Sequence, residues 1–262
     1  MYCLLKLGGF AKAKKFLHNS NPSGLRPPPL KQGRNRVSQS DEGVYNVIKL
    51  MQLKKFIVNP IQVNCYLLWD ETKEAVLIDC GAWFPQEREE IRKFIEDNGL
   101  VLKHHLNTHL HFDHIFGNAF IEETFGVKAT ANDADWPWAE NIKERVARFG
   151  VRYDEEVPPL GHVLNDGDEI LFGNSRIVAI AVPGHSPGSL AYYVRDAKML
   201  FSGDALFRGS IGRTDFPDSN HRALIYSIRE KLLTLPGETI VYPGHDRETT
   251  IEFEKMNNMY LR

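Results

Sequence analysis

The sequence has little cysteine and no long apolar run, and each absence excludes a class of protein. Only Cys3, Cys65 and Cys80 occur in 262 residues, too few and too scattered for a disulfide framework or a cysteine-based zinc cluster. Low cysteine content favours a reducing, cytoplasmic location. No apolar run approaches the roughly 18 residues that a membrane span needs, so a membrane partner is not expected.

An excess of charge of one sign is also missing. The chain has 32 basic and 34 acidic residues, which gives a formal net charge of −2. This balance provides no general attraction to nucleic acid or to an anionic membrane. The fractions of hydrophobic residues, 42%, and charged residues, 25%, are those of an ordinary globular domain. We therefore expect a small-molecule partner, and the composition leaves the oligomeric state open.

The first forty residues contain no acidic side chain, although basic residues occur from Lys6 to Arg36. Residues 22–40 are rich in Pro, Gly, Ser and Arg, so we expect residues 1–50 to form a basic, disordered extension. Three explanations compete: a transit-type targeting peptide, a flexible tail, or a start site assigned too far upstream. A strand pattern that begins at Gln52 favours the last, with Met51 as the true first residue.

Residues 51–262 have the pattern of an α/β catalytic domain. Short runs such as QLKKFIV and AVLID predict at least nine strands. Segments with helical spacing of apolar residues, including 85–99 and 219–237, predict at least four helices. Because meander-like strand pairs alternate with β–α steps, we expect a layered fold with mixed sheets.

The stretch THLHFDH, residues 108–114, concentrates metal-ligand side chains. In an extended segment, residues two apart face the same side, so His109 and His111 can bind one ion together. Asp113 and His114 follow where the chain should turn into a helix, so they can face a second ion. Imidazoles with one carboxylate suit zinc, iron or manganese better than calcium or magnesium.

Three further ligand-type residues each follow a predicted strand. They are His185 after RIVAIAV, Asp204 after KMLFSG and His245 after TIVYPG. Each lies beside a glycine, which permits a close turn and leaves room around an ion. Since sites in α/β sheets form at strand ends, we expect all three at one rim. The first metal would then bind His109, His111 and His185, the second Asp113, His114 and His245, with Asp204 bridging.

Together the motifs THLHFDH, PGHSPGS, FSGDALFRGSIGRTDF and YPGHD resemble those of the metallo-β-lactamase superfamily. Their order is similar to that of its glyoxalase II branch, the hydroxyacylglutathione hydrolases, and the resemblance covers residues 51–262. It implies a four-layer αβ/βα sandwich with two mixed β-sheets and a dinuclear site at one edge. It also implies that Asp79, in the stretch IDCGA, is a buried acid that orients metal ligands. The ligands that it implies are His109, His111, Asp113, His114, His185, Asp204 and His245.

The resemblance also implies a chemistry. It indicates a metal-dependent hydrolase that cleaves a thioester with a hydroxide bridging two divalent ions, zinc foremost, with iron or manganese as alternatives. Asp113 would be the catalytic residue that orients this hydroxide. Arg213 and Arg208, which flank the loop after Asp204, are the candidate substrate-binding residues for an anionic thioester.

Two features leave the substrate open. Glyoxalase II enzymes hold the glutathione carboxylate with a C-terminal helical extension, whereas 17 residues follow His245 in this sequence. The GRTDF stretch at 212–216 also resembles persulfide dioxygenases, which bind one iron through residues equivalent to His109, His185 and Asp204. A mononuclear-iron persulfide dioxygenase is therefore the alternative. Zinc β-lactamases commonly have Cys in place of Asp204 and lack His114, which argues against lactam hydrolysis.

Other side chains near these motifs have structural interpretations. His104 and His105 are neighbours in one predicted strand and face opposite ways, so both cannot join one site. The aromatic pair in WPW, residues 136–138, could line a pocket or pack in the core.

Overall fold

The computed structural model describes residues 51–148, 150 and 152–262. The predictions for residues 1–50 fall outside the described residues. The strands are β1 (Gln52–Val58), β2 (Val63–Trp69), β3 (Glu74–Ile78), β4 (Val101–Leu106), β5 (Ala129–Ala131), β6 (His162–Val163), β7 (Glu169–Phe172), β8 (Ser175–Ala181), β9 (Leu190–Val194), β10 (Met199–Gly203), β11 (Leu206–Phe207), β12 (Ser210–Ile211), β13 (Ile240–Pro243) and β14 (Thr249–Thr250). The helices are α1 (Pro85–Asp97), α2 (Phe112–Ile115), α3 (Asn118–Phe125), α4 (Trp136–Glu140), α5 (Ile142–Ala147), α6 (His221–Ser227) and α7 (Ile251–Asn257).

Twelve of these strands form two six-stranded sheets. In the first sheet, with the order β1-β2-β3-β4-β5-β6, the first three strands are antiparallel and the later neighbours are parallel. The second sheet has the order β14-β13-β10-β9-β8-β7 and is antiparallel except for the β10–β13 pair. Both sheets are mixed, as predicted. Strands β11 and β12 form a separate small hairpin.

Apolar side chains on the facing sides of the two sheets form the central core. Tyr66 and Ile78 of the first sheet belong to the same buried cluster as Tyr192 and Phe201 of the second. Strand β2 is buried along its whole length, since helices cover the other face of its sheet.

Each sheet has helices on its outer face. The first sheet packs against Ile91 and Ile95 of α1, and the second against Leu224 of α6 and Ile251 of α7. This layering is the predicted αβ/βα sandwich, so the predicted fold class is confirmed.

Several helices differ from their predicted extent. The helix expected over 219–237 is α6, and it continues as a π-helical turn over Ile228–Leu232. The pattern gave no sign of α4 and α7, which are only 5 and 7 residues long. Helices this short owe their stability to packing rather than to intrinsic propensity. Among the described residues, no helix combines the length and apolar character that crossing a membrane requires.

The topology brings several strand ends to one edge of the sandwich. Strands β8 and β10 both run antiparallel to β9, and β13 is parallel to β10. Consequently β8, β10 and β13 all end on the same side. An isolated bridge between Val63 and His245 joins this edge to the first sheet.

Candidate metal centre

The seven predicted ligand side chains all lie at this edge. Three overlapping groups offer ligand atoms that lie within 4.8 Å of one another: His109, His111 and His185; His109, His114 and Asp204; and Asp113, His114 and His245. The first and third groups are the two sets that the sequence analysis assigned to separate ions. Their metal-binding role stays a prediction, but the geometry that it requires is present.

Asp204 lies in the middle of this cluster. Its Oδ1 is 3.5 Å from His114 Nε2, and its Oδ2 is 3.5 Å from His245 Nε2 and 3.7 Å from His185 Nε2. A carboxylate whose two oxygens face different imidazoles has the arrangement that a bridging ligand needs.

Hydrogen bonds leave several ligand atoms available for a cation. His185 must donate its Nδ1–H to the carbonyl oxygen of Arg213, 2.9 Å away, because a carbonyl only accepts. The lone pair of a neutral His185 is then on Nε2, which lies inside the cluster 2.9 Å from His111 Nδ1. His109 Nε2, His111 Nε2 and Asp204 Oδ1 are buried without a hydrogen-bond partner among the described residues. Such atoms cost about 1–3 kcal/mol each, which a bound cation would offset, so the residues fit a metal centre.

Asp79 lies directly beneath the centre and is 1% exposed. Its carboxylate accepts hydrogen bonds from the backbone N and the Oγ1 of Thr108, and its Oδ2 is 3.1 Å from His114 Nδ1. The approach of Asp79 to His114 is an ion-pair contact. Asp79 has a φ of 56°, a left-handed conformation that is uncommon for a residue with a side chain. Strain of this kind is often found at functional sites.

The electrostatic surroundings differ across the centre. Burial and the neighbouring imidazole of His114 lower the pKa of His109 well below its ordinary value. The His109 ring is therefore neutral at neutral pH and keeps a lone pair for a metal. Burial would also lower the pKa of His114, but the carboxylates of Asp113, Asp79 and Asp204 raise it by more. This carboxylate-rich side favours bound positive charge.

Asp113, the predicted catalytic residue, faces the same side. Its Oδ2 is 3.3 Å from His245 Nε2 and 3.8 Å from His114 Nε2. Burial would raise the pKa of Asp113, but the charge of His114 and the hydrogen bond from His245 lower it well below its usual range. Asp113 is thus a carboxylate at neutral pH, which suits binding a cation or accepting a hydrogen bond better than storing a proton.

A cavity of about 690 Å³ opens above the centre. Five of the seven predicted ligands line it, namely His111, Asp113, His185, Asp204 and His245. Its other walls are mostly apolar or aromatic: Ile61, Phe112, Trp138, Phe207, Ile211 and Phe216. Trp138 stands 4.3 Å from the ring of His111, and its Nε1 donates to Asp218. Of the two locations considered for the WPW stretch, the structure thus places Trp138 on the cavity wall.

The two predicted substrate-binding arginines have different surroundings. Arg213 lines the cavity, but Asp215 accepts two 2.7 Å hydrogen bonds from its guanidinium group. Arg208 lies 4.0 Å above the ring of Phe253. It lines a second pocket of about 420 Å³, which shares Phe207, Ser210 and His245 with the cavity.

Arg247 also lines this second pocket and was missed by the sequence analysis. Neither Arg208 nor Arg247 pairs with a carboxylate among the described residues, so their charges remain available to a ligand. The sequence signal for Arg247 was its position two residues after a predicted metal ligand, His245. His104 and His105 lie outside the cluster, as expected; His104 contacts the carbonyl oxygen of Leu171.

Comparisons with known proteins show the family of this chain. The family model of the metallo-beta-lactamase superfamily matches residues 58–245. The chain is 36% identical to hydroxyacylglutathione hydrolase GloC of Haemophilus influenzae over 80% of this chain and 98% of that protein. It is 34% identical to the probable metallo-hydrolase YqgX of Bacillus subtilis over 80% and 98%. It is also 34% identical to the human mitochondrial persulfide dioxygenase ETHE1 over 76% and 72%.

Solved structures give the same result. The BLEG-1 B3 metallo-beta-lactamase superposes with a TM-score of 0.73 at 35% identity, covering 80% of this chain and 99% of that one. TTHA1623 in a di-iron-bound form superposes with a TM-score of 0.71 at 35% identity, covering 79% and 100%. The family match spans more than half of the sequence and includes all seven predicted ligands. This chain belongs to the metallo-beta-lactamase superfamily and, within it, is glyoxalase II-like.

Proposed function

We propose that this chain is a thioester hydrolase with two divalent metal ions, acting on an anionic substrate of the hydroxyacylglutathione type. One observation carries the proposal: side chains from both metal-ligand groups line an apolar cavity, and this cavity adjoins a pocket lined by Arg208, Arg247 and Asp246. The similarity to GloC over nearly the whole of that protein supports the same reaction.

The side chains of the centre have separate tasks in this mechanism. Bound to the two histidine and aspartate groups, divalent ions would lower the pKa of a water molecule and polarise a carbonyl oxygen. Asp113 would accept a hydrogen bond from the attacking water and orient it. A thiolate leaves readily without protonation, so the reaction requires no additional general acid.

The two pockets match the two halves of such a substrate. Phe216 and Trp138 offer apolar surface to the acyl group or the carbon chain beside the scissile bond. Arg208 and Arg247, which pair with no carboxylate among residues 51–148, 150 and 152–262, offer their charge to a carboxylate farther along the thiol half. Because Asp215 occupies the guanidinium group of Arg213, we assign the anion to Arg208 and Arg247. The side-chain role predicted for Arg213 stays a prediction.

Persulfide dioxygenase activity is the second candidate. The similarity to human ETHE1 favours it. The GRTDF stretch, whose Phe216 lies against His185, is compatible with both reactions. This reaction would use one iron and consume O2, whereas thioester hydrolysis would use two ions and no oxygen. Metal identity belongs to the same question, because zinc, iron and manganese all accept these ligands.

A paired measurement separates the two reactions. The full-length protein is purified, its metal content is determined, and it is assayed for S-D-lactoylglutathione cleavage and for glutathione persulfide-dependent O2 uptake. We expect two ions per chain and thioester cleavage without O2 uptake. One iron per chain together with O2 uptake would contradict the hydrolase proposal and support the dioxygenase activity. Asp168→Asn serves as the matched control for metal-site variants, because Asp168 is half-buried, accepts a hydrogen bond from the backbone N of Asn165 and is not one of the predicted ligands.

The anionic substrate is tested with two thioesters that share an acyl group. One has a carboxylate on its thiol half, and the other is neutral. Arg208→Gln and Arg247→Gln should each raise KM for the charged thioester by about 10-fold, corresponding to about 1.4 kcal/mol, and leave KM for the neutral one unchanged. The control is Arg222→Gln, on α6. Equal effects on both thioesters would contradict the proposed anion contact.

A further inference from the structure

Asp135 is a buried carboxylate between two loops of the metal centre. It is 0% exposed and stands at the end of a 3-10 turn over Asp133–Asp135, immediately before α4. Its residue type and sequence position gave no reason to include it in the site. The fold places it where the segment that carries His109 and His111 approaches the loop that follows His185.

The Asp135 carboxylate is hydrogen-bonded to both of these segments. Oδ2 accepts from the backbone N of Leu110, at 3.3 Å, and from Ser186 Oγ, at 2.6 Å. Oδ1 accepts from the backbone N of Gly188, at 2.6 Å. Leu110 separates two predicted metal ligands, and Ser186 follows a third. A single side chain therefore connects the chain segments of all three histidines in the first ligand group.

The loop that follows His185 leaves room for the Asp135 carboxylate. A Cβ atom at Gly188 would lie 2.8 Å from Asp135 Cγ, so the glycine permits the close approach. Ser189 Oγ lies 2.7 Å from Ser186 Oγ and accepts from the Ser186 backbone N, which keeps the loop turned toward Asp135.

We propose that Asp135 is a positioning residue that sets the separation between the His109–His111 segment and His185, and thereby the affinity of their shared metal site. Each carboxylate oxygen accepts from a different backbone N–H, one in each segment. An amide cannot reproduce this, because in either orientation its NH2 group opposes one of those N–H groups. The inference rests on the metal centre and not on which bond the enzyme cleaves.

Asp135→Asn and a matched control test the proposal. Asp70 is also buried, 1% exposed, and its carboxylate likewise accepts from two backbone N–H groups, of Thr72 and Asn174, and from the hydroxyl of Ser175. It joins the β2–β3 turn to the β7–β8 turn, away from the metal centre. Asp70→Asn should therefore lower thermal stability without changing metal binding.

The experiment titrates Co²⁺ into the full-length protein, with visible absorption and competition against a chelator. In Asp135→Asn, the Co²⁺ affinity of one site should fall about 10- to 100-fold, and the affinity of the other site should change less than about threefold. The visible absorption of the weakened Co²⁺ site should also change. Gly188→Ala retains the Asp135 carboxylate but moves it, because the added methyl group would overlap with it. This variant should show the same selective loss of Co²⁺ affinity. This second variant covers the case in which Asp135→Asn does not fold.

Four results would overturn the proposal. Two unchanged affinities in both variants would show that the site does not depend on Asp135. An equal loss at both sites, or a loss matched by Asp70→Asn, would assign Asp135 to general stability. Failure of the parent protein to bind Co²⁺ would overturn the metal centre as well. Thioester cleavage is not a readout, so the proposed hydrolysis can fail without affecting this test.

Discussion

Asp79 and Thr108 form two hydrogen bonds, each 2.7 Å long, from the backbone N and the Oγ1 of Thr108 to the Asp79 carboxylate. The hydroxyl of Thr108 has a single proton, which this contact uses. Its oxygen can therefore only accept from His109 Nδ1, 3.1 Å away. His109 is thus held in the tautomer whose Nε2 lone pair faces the metal centre. Since Asp79 also contacts His114, one carboxylate orients two predicted ligands.

Asp79→Asn should lower metal affinity about 10- to 100-fold, because it removes the charge that orients both imidazoles. Thr108→Val removes only the connection to His109 and should have a smaller effect. Chelator competition measures both affinities, and circular dichroism checks that the fold is retained. An affinity in Thr108→Val as low as that in Asp79→Asn would show that the His114 contact contributes little.

Gly244→Ala should disrupt the centre by steric overlap. A Cβ atom there would lie 2.2 Å from Asp204 Oδ1 and 2.8 Å from His114 Cε1. The overlap should cost about 1–3 kcal/mol and reduce metal content to one ion or fewer per chain. Elemental analysis measures the content.

The matched control for Gly244→Ala is Gly99→Ala. Gly99 has a φ of 61° and open space around its Cβ position. Alanine there should cost about 1 kcal/mol of stability from backbone strain alone and leave metal content unchanged. Retention of two ions in Gly244→Ala would contradict the close packing of glycine against the ligands.

Asp204→Asn should reduce activity by about 100-fold or more and leave a single bound ion. The carboxylate faces His185 of the first ligand group and His114 and His245 of the second, so its charge is shared by both sites. Activity and metal stoichiometry are measured on the same preparation. Asp168→Asn, at a half-buried residue that is not a predicted ligand, should resemble the parent protein in both. Two ions at parental affinity in Asp204→Asn would exclude a bridging role.

His105→Leu should make stability less sensitive to acid. Both ring nitrogens of His105 are buried without a partner among the described residues, and burial lowers its pKa to about 3. The unfolded chain binds this proton below about pH 6.5, while the folded protein does not until about pH 3. Stability is therefore lost as the pH falls through this interval, by about 2 kcal/mol between pH 8 and pH 5.

Urea unfolding at pH 8 and pH 5 measures this difference for the parent protein and for His105→Leu. Protonation of the predicted metal ligands changes the free energy of unfolding equally in both proteins, so this contribution cancels in the comparison. His162→Leu, an exposed substitution in β6, should leave the difference at its parental value. An identical loss of stability in the parent protein and His105→Leu would show that His105 takes up its proton in the folded state.

Much of the candidate site was predictable because its ligands follow local rules. His185, Asp204 and His245 each come directly after an apolar strand and beside a glycine, and THLHFDH presents four ligands within seven residues. Strand periodicity and turn chemistry are properties of neighbouring residues, so the sequence alone is enough to determine them. The same patterns, with the resemblance that they carry, were sufficient for the mixed sheets and the layered α/β class.

The tertiary structure decided what depends on distant parts of the chain. Asp135 connects segments 25 and 51 residues away. Asp215 pairs with Arg213, whereas Arg208 and Arg247 pair with no carboxylate in the described part of the chain. No local pattern specifies such contacts, because they depend on how β8, β10 and β13 end against the first sheet. Helices α4 and α7 are also products of packing, since they are too short to form alone. The sequence by itself thus determined which side chains could bind metal, and the packing of the two sheets determined which residues hold them in place.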